Sequence, residues 1–396
     1  MSQLLNERWS ETKDALLEGL SGTRKSSMAV CLENTRRFLA ESATAGSTSA
    51  GNIATLNRVI LPIIRRVMPT VIANEIIGVQ PMTGPVAQIH TLRVRYADSG
   101  AGVVAGDEAL SPFNIAASYS GNNASGADAA NRVAAQTTAA MEGTPGKRMS
   151  IQILKTPVEA KSRKLSARWT FEAAQDAQAQ QGIDIEAEIM AALAQEITAE
   201  IDQEILASLR LLGTVEQTYD QSLVSGTATF VGDEHAALAI QINRVSNLIA
   251  QRTRRGAGNW AVVSNQALTI LQSATTSAFA RTTEGTFEAP TNTKFVGTLN
   301  GAMRIYVDAY LSDTDNNNQV LVGYKGASEA DAAAFYCPYI PLMSSGVVLD
   351  PATFEPVVGF LTRYGYVELS NTASSLGNAA DYLGKVAIVS DNVSFK

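Results

Sequence analysis

Apolar residues recur at every fourth position in the middle of the chain. The positions are Ile185, Ile189, Leu193, Ile197, Ile201, Ile205 and Leu209. Because successive residues of an α-helix are rotated by ~100°, this spacing predicts one long helix from Asp184 to Leu212, ended by Arg210 and Gly213. Each step of four overshoots a turn by roughly 40°, so the apolar stripe winds around the helix. We therefore expect this helix to contact different neighbours along its length.

Charge separates this helix from the segment before it. Between residues 183 and 209 the charged residues are all acidic: Asp184, Glu186, Glu188, Glu196, Glu200, Asp202 and Glu204. Residues 151–170 have strand character, and their one acid, Glu159, is outnumbered by Lys155, Lys161, Arg163, Lys164 and Arg168. This contrast predicts ion pairs between the strand and the helix. Exposed pairs contribute about 0–1 kcal/mol each, so they would orient the helix rather than hold it.

The first 41 residues predict two short amphipathic helices, with Gly19 and Gly22 between them. The helices either pack on the body as a hairpin or act as a built-in scaffold segment that guides assembly. Residues 42–52 are small and polar, which predicts a flexible linker. Residues 1–20 carry four acids, so we do not expect a signal peptide.

Residues 53–80 are apolar again, but Pro62 and Pro69 prevent one continuous helix because proline lacks an N–H donor. Arg65 and Arg66 lie in this segment. They are either solvated arginines on an amphipathic turn or part of an arm that crosses a neighbouring subunit and pairs with its carboxylates.

A long segment poor in large apolar residues follows a predicted strand. Residues 90–96 alternate apolar and polar side chains, which is typical of a half-exposed strand. Ala, Gly, Ser and Asn dominate residues 97–150. Such a long segment is unusual inside a compact domain. We therefore expect an extended loop that reaches another subunit.

Residues 230–345 predict a second module, of the α/β type. Its elements are a helix at 240–249 and strands at 261–263, 302–310 and 320–324. Arg252, Arg254 and Arg255 follow the helix. These arginines contact either acids of a sister subunit around a symmetry axis or DNA. Later strands, at 347–349, 357–361 and 364–367, would return to the first module.

Composition favours large subunit interfaces. The chain has 396 residues, of which 45% are apolar and 17% charged, and the charged share is below the usual quarter or so. Obligate interfaces resemble a core cut in half, although a buried enzyme monomer would have the same composition. The net charge of −7 argues against tight nonspecific nucleic-acid binding.

Motifs for chemistry are missing from the sequence. His90 and His235 lie in no HExxH motif, and Cys31 and Cys337 are far apart, so we expect buried thiols rather than a disulfide or metal site. Neither a G-x-S-x-G elbow nor a complete Walker loop occurs. No run approaches the ~18 apolar residues that span a membrane. We expect no enzymatic activity, no cofactor, no metal and no membrane insertion.

Four stretches resemble the major capsid proteins of large contractile-tailed phages of the T-even branch. They are residues 61–80 (LPIIRRVMPTVIANEIIGVQ), 158–175 (VEAKSRKLSARWTFEAAQ), 322–339 (VGYKGASEADAAAFYCPY) and 359–365 (GFLTRYG). The resemblance implies an α+β, Hong Kong-97-type capsid fold.

The parts of that fold map onto the chain in order. The implied parts are a helical segment (scaffold or propeptide) at 1–41, an N-terminal arm at 42–75, a peripheral-domain strand at 76–96, an extended loop at 97–150, a peripheral domain at 151–229 with its spine helix at 183–212, an axial domain at 230–345, and a return to the peripheral domain with a C-terminal tail at 346–396.

The resemblance implies self-assembly into hexameric capsomers of an icosahedral or prolate head around double-stranded DNA, which is enclosed without sequence-specific binding. Implied partners are other copies, a vertex protein, a portal, a scaffold, a maturation protease and a decoration protein. The protein would belong to the virion after assembly in the host cytoplasm. The alternatives are a cellular nanocompartment of the same fold and, more distantly, a metal or cofactor enzyme.

The family's maturation protease cuts after glutamate in Leu/Ile-x-Glu sequences. Residues 39–41 fit, which would place a cut between Glu41 and Ser42, but residues 5–7 and 16–18 fit as well. The expected intersubunit contacts are Arg65, Arg66, Lys161, Arg163, Arg252, Arg254 and Arg255.

Overall fold

The computed structural model describes most of the chain. The described residues are 9–10, 13–20, 22–45, 71–99, 104–106, 109, 119, 122–123, 133–134, 138–143, 146–181, 184–224, 231–253, 255–274, 279–281, 294–311, 318–327, 331–350, 352–353, 355–369, 379–389 and 393.

Helices and strands are mixed within them, which confirms the α+β fold class. The helices are α1 (Gly22–Ala45), α2 (Ala73–Ile76), α3 (Thr138–Met141), α4 (Phe171–Gln181), α5 (Ile185–Leu212), α6 (Gln221–Val224), α7 (Val231–Thr253) and α8 (Asn265–Ser273), with a 3₁₀ turn at Ala379–Tyr382. The strands are β1 (Gly78–Val79), β2 (Val86–Tyr96), β3 (Asn122–Asn123), β4 (Val133–Ala134), β5 (Met149–Glu159), β6 (Lys161–Arg168), β7 (Val215–Tyr219), β8 (Trp260–Val263), β9 (Phe279–Arg281), β10 (Lys294–Leu299), β11 (Met303–Val307), β12 (Gln319–Gly323), β13 (Ala334–Leu349), β14 (Pro356–Glu368) and β15 (Leu383–Ile388).

The predicted long helix is confirmed as α5. The Asp184 carboxylate caps it by accepting from the backbone N–H of Glu186 at 3.1 Å, and Gly213 follows its last residue. At 1.5 Å per residue its 28 residues span about 42 Å. A helix this long passes several structural elements in turn.

The buried face of α5 differs from the isoleucine stripe. Ile197, Ile201, Ile205 and Leu209 are buried as expected, but Ile185, Ile189 and Leu193 are only half-buried. Met190 and Ala194 are the buried residues of that first half. The step from Ala194 to Ile197 is three residues and not four, so the buried face rotates less around the helix than the isoleucine stripe does. The expected change of neighbours is confirmed, because α5 contacts β6, β15 and the segment before α2.

A four-stranded sheet packs on α5, in the order β1-β13-β14-β6. β13 and β14 form a long antiparallel hairpin, and β6 pairs antiparallel with β14. Val358 and Phe360 are buried in the same core as Ile197 and Ile201. The strands expected at 357–361 and 364–367 are one continuous strand in this sheet.

A seven-stranded sheet forms the second body, in the order β7-β15-β12-β8-β11-β10-β9. Ile242, Val245 and Ile249 of α7 pack into its core with Val263 and Ile305. The α/β character is confirmed, with parallel pairs β8–β11 and β7–β15. Strands β7 and β15 come from segments that the sequence placed in the peripheral region and the C-terminal return. β7 and β15 belong to the second sheet because their hydrogen bonds join residues that are far apart in sequence.

Helix α1 packs against the first sheet, and residues 13–17 before it are also helical. Gly19 and Gly22 have φ of 83° and 62°, so the predicted break between the two helices is confirmed. Helix α1 ends at Ala45, so a linker starting at residue 42 was wrong by four residues. Alanines at 43 and 45 favour continuation of the helix. Met28, Cys31 and Leu32 lie in the core shared with α5, which favours packing on the body.

Strands β2 and β5 form a separate two-stranded ribbon. They pair antiparallel from Val86↔Glu159 to Tyr96↔Met149. The strand expected at 90–96 is confirmed and begins earlier, at Val86. The single segment expected at 151–170 is two strands, separated at Ala160, whose N–H donates to the carbonyl of Pro85 at 2.9 Å.

Replacing Ile205 with alanine tests the packing of α5. Ile205 is fully buried, so the cavity should lower the free energy of unfolding by about 2–5 kcal/mol. Leu211 lies on the same helix but is 88% exposed, so Leu211→Ala should change it by at most about 0.5 kcal/mol. Urea unfolding measures both values. Equal losses in the two variants would show that the assigned buried face is wrong.

Candidate assembly surfaces

The ribbon of β2 and β5 carries an uncovered apolar strip. Met149, Ile151 and Ile153 alternate along β5, so their side chains lie on one face, and they are 51%, 68% and 60% exposed. We call these three residues the ribbon strip. Val94 lies directly opposite Ile151 and adds to the same face. In the part of the chain that the structure describes, no element covers this strip.

Polar contacts fix the end of the ribbon. The Asp98 carboxylate accepts from the backbone N–H of Arg148 at 2.8 Å and from its guanidinium at 3.3 Å. These contacts, the backbone hydrogen bond above all, lower the pKa of Asp98. The Tyr119 hydroxyl donates to the carbonyl of Arg148, and its ring packs against Tyr96 in a tilted arrangement with 4.5 Å between centroids. The end of the ribbon is therefore held by polar and aromatic contacts.

Arg163 on β6 joins the first sheet to α5. Its guanidinium contacts Glu200 at 2.8 Å and Glu204 at 2.6 Å, and its Nε donates to the Tyr364 hydroxyl at 2.6 Å. Partial burial raises the pKa of Glu204, but hydrogen bonds from Tyr364 and Arg163 outweigh this effect, so the pKa is lowered. The predicted ion pairing between strand and helix is confirmed. Lys161 is exposed two residues earlier.

The first half of α5 has acids without such partners. Glu188 and Glu196 are exposed and Glu186 is half-buried. Among the residues whose placement is described, no cation forms an ion pair with these three, whereas Glu200 and Glu204 share Arg163. Half-buried Ile189 and Leu193 lie on the same half of the helix. This half combines negative charge with partly uncovered apolar side chains.

A buried carboxylate ties the other end of α5 to the second sheet. Asp308, directly after β11, is fully buried and forms an ion pair with Arg210, whose side chain is 12% exposed. It also accepts from the Gln203 amide at 2.8 Å and from the N–H of Tyr310 at 3.1 Å. Because every one of these donors is close and water is excluded, the contact holds α5 and the seven-stranded sheet together.

A second buried carboxylate ties α5 to the segment before α2. Asp202 is 1% exposed and accepts from the N–H of Ile72 at 2.9 Å. Its other oxygen has no hydrogen-bond partner within the described chain. Burial raises the pKa of Asp202 to about 7. The negative charge of Asp308 raises it slightly further, whereas the hydrogen bond from Ile72 lowers it. The carboxyl therefore titrates near neutral pH.

Glu75 on α2 connects three elements. It forms an ion pair with Arg24 of α1, accepts from Arg304 of β11 at 2.8 Å and from the Tyr306 hydroxyl at 3.3 Å. Sequence reasoning missed Glu75, Asp202 and Asp308. The only available signals were local: Asp202 directly follows a stripe isoleucine, and Asp308 directly follows an apolar strand.

Like Arg163, two further predicted contact arginines have partners in their own chain. Arg252 pairs with Glu216 at 2.6 Å, and Arg255 pairs with Asp331. Arg254, Arg65 and Arg66 lie outside the described residues. Contacts of all these residues with sister subunits stay a prediction.

The predicted processing bond lies in a helix. Glu41 and Ser42 belong to the last two turns of α1, which ends at Ala45. A protease that binds extended chains would therefore require these turns to unwind. Cleavage itself stays a prediction.

Within the described ranges, neither a group of three metal-binding side chains nor a helix able to cross a membrane is found. His235 contacts the Ser273 hydroxyl through Nδ1, and burial lowers its pKa. His90 is exposed on the ribbon. Burial raises the pKa of the Cys31 and Cys337 thiols to about 12, so neither is a reactive thiolate at neutral pH.

Comparisons with known proteins identify the family. The family model of major capsid protein Gp23 matches residues 53–388. The major capsid protein of Vibrio phage KVP40 is 30% identical, covering 85% of this chain and 81% of that protein. That of Enterobacteria phage T4 is 29% identical, covering 83% and 78%.

The backbone is also similar to solved phage capsids. For the capsid of Myoviridae phage XM1 the TM-score is 0.43 at 10% identity, covering 78% of this chain and 89% of that one. For the mature capsid of bacteriophage PhiM1 it is 0.44 at 11% identity, covering 78% and 83%. The functional assignment rests on the family match and not on these scores.

The chain therefore belongs to the Gp23 major capsid protein family of tailed phages, and the resemblance drawn from the sequence is confirmed. It is a structural protein of the virion shell and not an enzyme, and its Hong Kong-97-type fold follows the family. A cellular nanocompartment is not favoured, because the curated relatives named above are phage capsid proteins.

Replacing Arg210 with methionine tests the Asp308 contact. The change leaves a buried carboxylate without its cation, so the free energy of unfolding should fall by about 3–5 kcal/mol. As a control, Arg168→Met removes a 70% exposed arginine that lies 3.8 Å from Glu355, and should cost at most about 0.5 kcal/mol. Urea unfolding compares the two. A small loss for Arg210→Met would contradict the tie between α5 and the second sheet.

Replacing Asp202 with asparagine tests its titration. The folded pKa of about 7 lies above the ordinary value of 3.8, so Asp202 contributes stability that is present at low pH and lost as pH rises through 7. The melting temperature of Asp202→Asn relative to the wild type should therefore rise between about pH 5 and about pH 9. Glu188→Gln, at an exposed acid, serves as the control. A difference that stays constant with pH would refute the assigned titration.

Proposed function

We propose that copies of this chain assemble into hexameric capsomers of an icosahedral or prolate head that encloses double-stranded DNA. The observation that carries the proposal is the ribbon strip. An ordered ribbon that presents Met149, Ile151 and Ile153 to solvent leaves apolar surface that a second copy can cover. A contact with a second copy removes this surface from water. If each copy makes the same contact with the next one, the contacts close into a ring.

The first half of α5 is the surface on the neighbouring copy that fits the ribbon best. Its half-buried Ile189 and Leu193 match the apolar strip, and its exposed Glu188 and Glu196 match the ribbon's cations. Lys155 is exposed on β5, beside the strip. Charge complementarity of this kind selects the register and speeds association more than it adds affinity.

The parts of the subunit take the following roles in this proposal. Residues 42–75 form the arm, 97–150 the extended loop at the end of the ribbon, the sheet with α5 the peripheral domain, and the seven-stranded sheet the axial domain. The pairing of β7 and β15 supports an axial domain that also includes residues 215–219 and 383–388.

Charged residues at the remaining surfaces would complete the contacts. We infer that Arg65, Arg66, Lys161, Arg163, Arg252, Arg254 and Arg255 lie near sister subunits, with Arg163, Arg252 and Arg255 keeping their partners within the chain. The net charge of −7 supports a lining that encloses DNA without binding its sequence.

Other components of the head complete the proposal. A vertex protein, a portal, a scaffold, a decoration protein and a maturation protease are the expected partners, and assembly is expected in the host cytoplasm. The protease would cut between Glu41 and Ser42 after the end of α1 unwinds.

Aspartates in the ribbon strip test the proposal. Ile151→Asp with Ile153→Asp should leave the subunit folded, because both side chains are exposed, but should reduce particle yield to below about a tenth, because each carboxylate would be buried unpaired at the interface. Ser150→Asp with Gln152→Asp adds the same charge to the opposite face of the same strand and should still assemble. Thermal melting checks folding, and electron microscopy with sedimentation counts particles. Wild-type yield from the Ile151 and Ile153 variant would reject this interface.

A further inference from the structure

Helix α1 binds the first sheet through one face. Met28, Cys31, Leu32 and Thr35 are each at most 3% exposed and follow the spacing i, i+3, i+4, i+7. This is the anchor pattern of an amphipathic helix in an apolar groove. The exposed residues of α1, such as Lys25 and Arg37, face away from this contact.

The groove belongs to the part of the chain that the capsid family model covers. Val71, Ile72 and Ile76, and Tyr336 and Leu342 of β13, are buried in the same core as Met28, Cys31 and Leu32 of α1. Helix α1 itself lies before residue 53, where that match begins. A segment outside the family match therefore completes a core inside it.

Polar contacts clamp α1 near both ends of the groove. The Asn34 amide, 5% exposed, donates to the carbonyls of Met82 at 2.6 Å and Tyr339 at 3.1 Å. Arg24 pairs with Glu75, which Arg304 also contacts. An amide that satisfies two backbone carbonyls fixes the register of the helix in the groove, because a shift would leave buried carbonyls unpaired.

We propose that this groove, rather than the covalent chain, holds residues 22–45 on the subunit, so that a break between Ala45 and Val71 does not release them. The contacts named above all involve residues 24–35. The covalent link through the 25 residues from 46 to 70 adds a high local concentration to these contacts. Cutting and release are then separate steps, and release requires the groove between residues 71–82 and β13 to open.

This inference bears on the processing at Glu41 proposed above but rests on the contacts of α1 alone. If the head protease cuts there, the cut fragment stays seated until the subunit changes shape. The core then keeps its packing at the moment of cleavage. If no cut occurs in nature, the groove still behaves as stated toward an engineered break.

An engineered break tests the proposal on the unassembled subunit. A recognition sequence for a site-specific protease is inserted between Thr48 and Ser49 of the full chain, and the purified protein is cut and passed over a gel-filtration column in non-denaturing buffer. The N-terminal fragment should elute with the rest of the chain at equal stoichiometry. Elution of the fragment apart from a folded remainder would overturn the proposal.

Two variants identify the surface responsible. Met28→Asp with Leu32→Asp places carboxylates in the groove and should release the fragment after cutting, and retention by this variant would overturn the assigned surface. If that variant does not fold, Asn34→Ala removes only the amide's two hydrogen bonds. Its fragment should dissociate at least about tenfold faster than the unsubstituted fragment, as followed by exchange against labelled peptide 22–45. An unchanged rate would likewise overturn the proposal. None of these measurements depends on shell formation.

Discussion

The rest of the structure depends on how α5 is held along its length. Its second half is held by the buried apolar face from Ile197 to Leu209 and by three polar contacts at Arg163, Asp202 and Asp308. These contacts lead to the first sheet, to the segment before α2 and to the second sheet. One helix therefore sets the positions of three bodies, and this explains why buried carboxylates occur on a face that is otherwise apolar.

The first half of α5 presents the opposite situation. Its acids lack ion-pair partners among the described residues, and its stripe residues Ile189 and Leu193 are only partly covered. The ribbon, by contrast, has apolar residues without cover and cations beside them. A monomer in water leaves both surfaces incomplete, and a neighbouring copy can satisfy both with the same contact. The proposed contact between copies joins these two surfaces.

The sequence predicted the parts of the fold that local periodicity controls. The long helix was placed within two residues at its start because seven apolar residues recur at a fixed spacing of four. The ion pairing of Arg163 followed from the charge contrast of adjacent segments. The family was recognised from short stretches, of which residues 322–339 cover the end of β12 and the start of β13.

The remainder depended on contacts between distant residues. Arg210 and Asp308 are 98 positions apart, and Ile72 and Asp202 are 130 apart, so no local pattern indicates either pair. For the same reason, the sequence did not indicate that β7 and β15 belong to the second sheet. The extension of α1 to Ala45 was missed because small residues suit both a linker and a helix.

Amide hydrogen exchange on the same protein before and after assembly tests the central claim most directly. The account predicts that residues 185–196 exchange faster than residues 197–209 in the isolated subunit, because only the second half of α5 is fully packed. It also predicts that residues 185–196 become strongly protected in assembled shells. Equal protection of both halves in the isolated subunit, unchanged by assembly, would contradict it.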